Sequence, residues 1–132
     1  MTRPCTKCGR NRSERYFTSP RGRVCEPCRK ATRSRAAHGT RIEATYGITA
    51  TEYNTLLNYQ NGACAMCGGT RKYRLHVDHD HKLEREQGSR ASVRGLLCAR
   101  CNKLLAKAGD DTNLLAAAIK YLKNPPARKV IE

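Results

Sequence analysis

The stretches Cys64-Ala65-Met66-Cys67-Gly68 and Cys98-Ala99-Arg100-Cys101-Asn102 frame the segment Leu75-His76-Val77-Asp78-His79-Asp80-His81. Two residues between paired cysteines let both sulfurs reach one metal from a single turn. Four such thiolates complete the tetrahedral sulfur shell that Zn²⁺ accepts. Gly68 follows the first pair, where a turn around a metal needs positive φ. Four protein ligands leave no open coordination position, so this zinc is structural.

Working outward, the pattern recurs nearer the N-terminus as Cys5-Thr6-Lys7-Cys8-Gly9 and Cys25-Glu26-Pro27-Cys28-Arg29-Lys30. A second structural zinc is therefore expected on Cys5, Cys8, Cys25 and Cys28, beside the one on Cys64, Cys67, Cys98 and Cys101. Disulfides are the alternative, but they need an oxidising compartment. No apolar leader follows Met1, and no apolar run reaches the roughly 18 residues of a membrane span. The expectation is a protein of a reducing cytoplasm, with no membrane partner.

The chain has 132 residues, 39% of them hydrophobic, with one Phe and no Trp. So little large apolar material makes a weak core that needs cross-links. The formal charge is +15. Residues 1–45 carry 12 basic and 3 acidic side chains, and residues 64–109 carry 10 and 4. The excess lies on the cysteine-bearing segments and favours a polyanion such as DNA through counterion release.

Four segments follow. Residues 1–30 form an N-terminal zinc module. Residues 31–63 form a helical connector that also serves dimerisation, residues 64–109 a zinc-stapled core, and residues 110–132 a C-terminal helix and tail. Helix is expected from residue 26 to 45, with a kink or break near Gly39. Thr49-x-x-Glu52 is a capping box that opens a helix to about Gln60. Strands are expected over residues 73–79 and 93–97, joined by a long loop at 82–92. Residues 99–108 read as a helix stopped by Gly109. The last helix starts near Asp111 and is expected to bury Leu114, Leu115, Ala118, Ile119 and Leu122.

Asp78-His79-Asp80-His81 is the cluster with chemistry to offer. A carboxylate such as Asp78 holds a hard cation such as Mg²⁺. A neutral imidazole such as His79 deprotonates water near pH 7. Arg94 or Lys103 is placed to stabilise charge on a phosphate. Asn102 follows Cys101, so the zinc fixes where its amide oxygen sits, facing the metal opposite Asp78. Strict strand alternation sends Asp78 and His79 to opposite faces. They serve one phosphate only if the strand ends or bends there.

Taken together, Cys-x-x-Cys, Val77-Asp-His-Asp-His81 and Val93-Arg-Gly-Leu-Leu-Cys98-x-x-Cys-Asn102 resemble the phage recombination endonuclease VII family, within the His-Me finger (HNH-like) nucleases. The likeness runs over residues 46–124 and includes Tyr46-Gly-Ile-Thr49, Gln60-Asn-Gly-Ala-Cys64 and the Leu-x-x-Ala-x-x-Tyr-Leu run near the end. It implies a small, mostly helical α+β fold with a ββα-metal core, and cleavage in Mg²⁺ or Mn²⁺ that leaves 5′-phosphate and 3′-hydroxyl ends. It implies Asp78 and Asn102 as ligands of the catalytic metal, His79 as general base and His81 near the scissile phosphate. It further implies a homodimer that resolves branched DNA such as Holliday junctions during recombination, in the host cytoplasm if phage-encoded.

The segment after His81 is longer than the family's short turn, and Leu105 stands where some members carry an acidic residue. Lys82, Arg85 and Arg90 in that segment are candidate DNA contacts, as are Arg94 and Lys103. The N-terminal module has Arg29 where Asn102 stands and no Asp-His between Cys8 and Cys25. It reads as a non-catalytic knuckle that offers Arg29 and Lys30 to DNA, or as a structural cap. Two rivals to branched-DNA cleavage stay open: an HNH-type nickase on duplex DNA, and a zinc-finger DNA-binding protein without catalysis.

Overall fold

The computed structural model describes residues 1–131, which divide into two compact units after Tyr53. The described residues are mostly helical, with two antiparallel two-stranded sheets among them.

In the first unit β1 (Thr2–Pro4) pairs with β2 (Asn11–Ser13), and a 3-10 turn follows at Glu14–Tyr16. Helix α1 (Glu26–Tyr46) starts directly after Cys25, which takes an extended cap conformation with Pro27 in the first turn. Proline suits that place because its missing N–H has no helical partner there. The helix stops at Gly47, whose φ of 70° supplies the left-handed cap. Cys5, Phe17 and Cys25 form a minimal core, with Tyr16, Val24 and Cys28 packed around it.

Helix α1 runs through Gly39 without a break. The expected interruption is absent because this glycine serves packing. A Cβ at Gly39 would meet the Ala50 Cβ at 3.0 Å, so its missing side chain lets the start of α2 (Ala50–Tyr59) approach. The capping box forms as expected. The Thr49 N–H donates to Glu52 Oε2 at 2.8 Å, and the Glu52 N–H to Thr49 Oγ1 at 3.1 Å. Tyr53 is buried and meets the His38 ring edge-on at 4.8 Å.

The second unit holds β3 (His76–His79) antiparallel to β4 (Val93–Leu97), followed by α5 (Ala99–Lys107), which packs on both strands. This is a ββα unit. Leu75, Val77, Leu96, Leu97, Cys64, Cys98 and Cys101 are its buried apolar and sulfur residues. Gln60, one residue beyond α2, ties in the remaining backbone. Its Nε2 donates to Ala63 O and Leu96 O, both at 2.9 Å, while its Oε1 accepts from Leu96 N–H at 2.9 Å. One side chain thus stands in for a missing neighbour strand on β4.

Two expectations fail here. Residues 82–92 are not an open loop: they fold into α3 (His81–Gln87) and α4 (Ser89–Ser92). Asp80 caps α3, accepting from the N–H groups of Lys82 at 2.9 Å and Leu83 at 3.0 Å, and Gly88 ends it. The last helix, α6 (Thr112–Lys123), begins where expected, capped by Asp111, but none of its residues is buried. Leu114, Ile119 and Leu122 are exposed. A helical apolar stripe is buried only when another element packs on it, and the buried apolar and sulfur residues of this unit lie in the cysteine quartet and around the β3–β4 hairpin. A four-residue helix, α7 (Ala127–Val130), follows.

Candidate active site and zinc centres

The two cysteine quartets assemble as the spacing implies. In each, all four sulfurs lie within 4.8 Å of one another. Cys67 and Cys98 Sγ are 3.8 Å apart, and Cys5 and Cys28 Sγ 4.0 Å. Those separations are far beyond a disulfide. They match the edge of a tetrahedron, roughly 3.8 Å, whose corners sit about 2.3 Å from a central Zn²⁺.

Local electrostatics favour thiolates. The Cys25 N–H donates to Cys5 Sγ at 3.3 Å, and such backbone donors bring the Cys5 pKa down to about 6. Burial pushes Cys64 up, but N–H groups of Cys67, Cys98 and Met66 outweigh it and hold its pKa at about 6. Cys28, hydrogen-bonded to Cys25, and Cys101, pushed up by burial, rise to about 12. Crowded thiols resist joint ionisation without a cation, and a Zn²⁺ ion held by the four sulfurs would supply that charge. Arg71 lies against the second quartet, with Nη2 3.6 Å from Cys98 Sγ and 3.7 Å from Cys67 Sγ.

The β3–β4 ladder is irregular where Asp78 and His79 stand. Asp78 pairs with Gly95, but His79 pairs with Val93, so the register shifts between them and Arg94 is the extra residue of a bulge. Bulges re-aim side chains at the ends of sheets. Asp78 is 7% exposed. Arg94 binds it with two prongs, Nε to Oδ2 at 2.7 Å and Nη2 to Oδ1 at 3.0 Å. The same Nη2 donates to Asp110 Oδ1 at 3.1 Å. Asp110 Oδ2 lies 3.9 Å from His81 Nδ1, and the His81 and His79 rings stand 4.5 Å apart. An unbroken set of contacts thus joins Asp78 to His79 through Arg94, Asp110 and His81.

Asp110 is absent from the sequence reading. It follows Gly109, with φ of 57°, and this left-handed turn after α5 aims its carboxylate at Arg94. The pair Asp110-Asp111 carried the only signal: Asp111 is consumed as the cap of α6, which leaves Asp110 for another use. Glu84 is also absent from it. Its Oε2 lies 3.3 Å from His79 Nε2. Its signal was a cap-to-glycine helix, Asp80 to Gly88, hidden inside an assumed loop.

Asp80 does not join the acidic groups of the site. Its carboxylate is held below the ordinary value by the Leu83 N–H and then the Lys82 N–H, against the effect of burial. Asn102 lies in the first turn of α5, half-buried, its N–H bonded to Cys98 O at 2.9 Å. The second quartet therefore anchors the turn that carries it. Arg94, a candidate phosphate clamp, has its guanidinium committed to two carboxylates, and Asp78 raises its pKa further. Lys82, Arg85, Arg90 and Lys103 are exposed in this unit, and Arg29 and Lys30 are exposed in the first.

The site thus consists of a ββα hairpin with Asp-His at the end of one strand, a cysteine quartet bracketing it and an Asn on the following helix. The chain belongs to the recombination endonuclease VII family, whose model matches residues 39–124. It is 50% identical over 106 residues to the Gene 59 protein of Mycobacterium phage D29, covering 77% of this chain and 59% of that protein. It is 46% identical over 105 residues to the Gene 59 protein of Mycobacterium phage L5, covering 77% of this chain and 60% of that one. The chain thus spans about 60% of the length of these curated relatives. No solved structure matches it. Among the described residues no helix is long and apolar enough to cross a membrane.

Proposed function

We propose that the chain is a divalent-metal-dependent DNA endonuclease that hydrolyses phosphodiester bonds in branched DNA. The observation that carries this is the set of contacts that joins buried Asp78 to partly exposed His79 through Arg94, Asp110 and His81. Family membership supports it.

The donor set fits Mg²⁺ or Mn²⁺. Asp78 offers a carboxylate and Asn102 an amide oxygen, both hard oxygen ligands. Such a cation, when bound, polarises the phosphate and stabilises negative charge in the transition state. In this reading His79 accepts a proton from water as the water oxygen bonds to phosphorus. The P–O3′ bond breaks, and the departing 3′ oxygen takes a proton from solvent. His81 flanks the scissile phosphate. Arg94 keeps the Asp78 carboxylate oriented, and Lys103 with the basic residues of α3 and α4 steadies neighbouring phosphates.

A homodimer suits a four-way junction, because two active sites then face opposite strands. The exposed Leu114, Ile119 and Leu122 of α6 supply an apolar stripe for such a contact.

The test is a cleavage panel of duplex, nicked, flap and four-way DNA with Mg²⁺, for wild type, His79→Ala and Asn102→Ala. The reading expects preferential cutting of branched substrates that both variants abolish. Equal nicking of plain duplex would favour an HNH-type nickase. Binding with no cleavage by the wild type would favour a zinc-finger DNA-binding protein.

A further inference from the structure

Helix α3 does more than bridge two strands. Asp80 caps its N-terminus, and the Asp80 N–H donates to Ser92 O at 2.9 Å. Ser92 is fully buried and its Oγ donates to Ser89 O at 2.6 Å. Ser89 Oγ in turn donates to Glu84 Oε1 at 3.2 Å. These links fix the Glu84 carboxylate. Its other oxygen, Oε2, stands 3.3 Å from His79 Nε2.

We infer that Glu84 is the positioning residue of the His79 base, an inference that rests on the reading of His79 given above. A carboxylate facing Nε2 selects the tautomer that carries its hydrogen there. The lone pair then lies on Nδ1, and Nδ1 is the atom that takes the proton from water. Histidines that act as bases or ligands depend on such a partner to fix ring orientation and tautomer. Glu84 touches neither DNA nor the cation in this scheme. Ser89 holds Glu84, and Glu84 holds the ring.

Two measurements test it. The first is the tautomer of His79 in the zinc-loaded wild type without added Mg²⁺, read from imidazole ¹⁵N shifts at a pH where the ring is neutral. The hydrogen is expected on Nε2. A hydrogen on Nδ1 overturns the inference, and this holds even if no variant folds. The second is steady-state cleavage of the preferred substrate by Glu84→Ala and Glu84→Gln. The alanine variant is expected to lose roughly 10- to 100-fold in kcat with KM little changed. The glutamine variant, whose amide oxygen still accepts from Nε2–H, is expected to recover most of that loss. An alanine variant with wild-type kcat overturns the positioning role. So does a loss confined to KM. Cleavage that survives His79→Ala overturns instead the assignment of the base, so the two failures are distinct.

Discussion

Asp78 and Arg94 form a two-pronged ion pair across the bulge of the β3–β4 ladder, at 2.7 and 3.0 Å, with the carboxylate almost wholly out of water. Removing the arginine leaves a buried carboxylate without its cation, which is more damaging than losing both partners. Arg94→Ala is expected to destabilise the fold by about 2 kcal/mol. Arg94→Ala combined with Asp78→Asn is expected to recover part of it. Urea denaturation midpoints of the wild type and the two variants check this.

Zinc removal should be more severe than any single substitution. With two quartets and a sparse core, the native protein is expected to release two zinc ions per chain on thiol modification. Chelation at neutral pH is expected to remove most helical circular dichroism. Cys8→Ser and Cys67→Ser should each reduce the metal content to one ion per chain, as measured by atomic absorption.

Gln60 offers a test of the hairpin's support. The Leu96 N–H is buried and donates to Gln60 Oε1. Gln60→Ala orphans that donor and is expected to lower stability by about 2 kcal/mol. Hydrogen exchange at Leu96 should accelerate beyond the global change.

Gly39 makes a close approach rather than a kink. Gly39→Val places bulk against Ala50, where even a Cβ would sit at 3.0 Å. The expected loss is about 1–3 kcal/mol from overpacking, despite the removal of a poor helix former. A lowered melting temperature is the readout.

The Asp80 cap gives a pH dependence of known sign. Its carboxyl lies below its ordinary 3.8 in the folded chain because two N–H groups bond the charged form. Its contribution is therefore complete above about pH 4 and fades as pH falls through the lower folded value. Amide exchange of Lys82 and Leu83 should speed up in acid. In Asp80→Ala it should be fast already at neutral pH.

What the sequence made legible was chemistry tied to spacing. Two residues between cysteines, repeated four times, specify both quartets, and the capping box specifies the start of α2. The β3–β4 hairpin was legible from alternation around Leu75 and Val77. Missing from that reading were contacts made by ordinary residues in segments without a pattern. Glu84 reaches His79 because a presumed loop became a capped helix, and Asp110 reaches Arg94 through a left-handed turn. The α6 stripe was read correctly as apolar but wrongly as buried, because periodicity reports a face and not what lies against it.

The bond from Asp80 N–H to Ser92 O has one more consequence. It pinches the neck of the α3–α4 excursion, and from beyond that neck His81 and Glu84 reach back to His79. The same insert presents Lys82, Arg85 and Arg90 to solvent. A change in its length therefore alters the basic surface and the surroundings of His79 together.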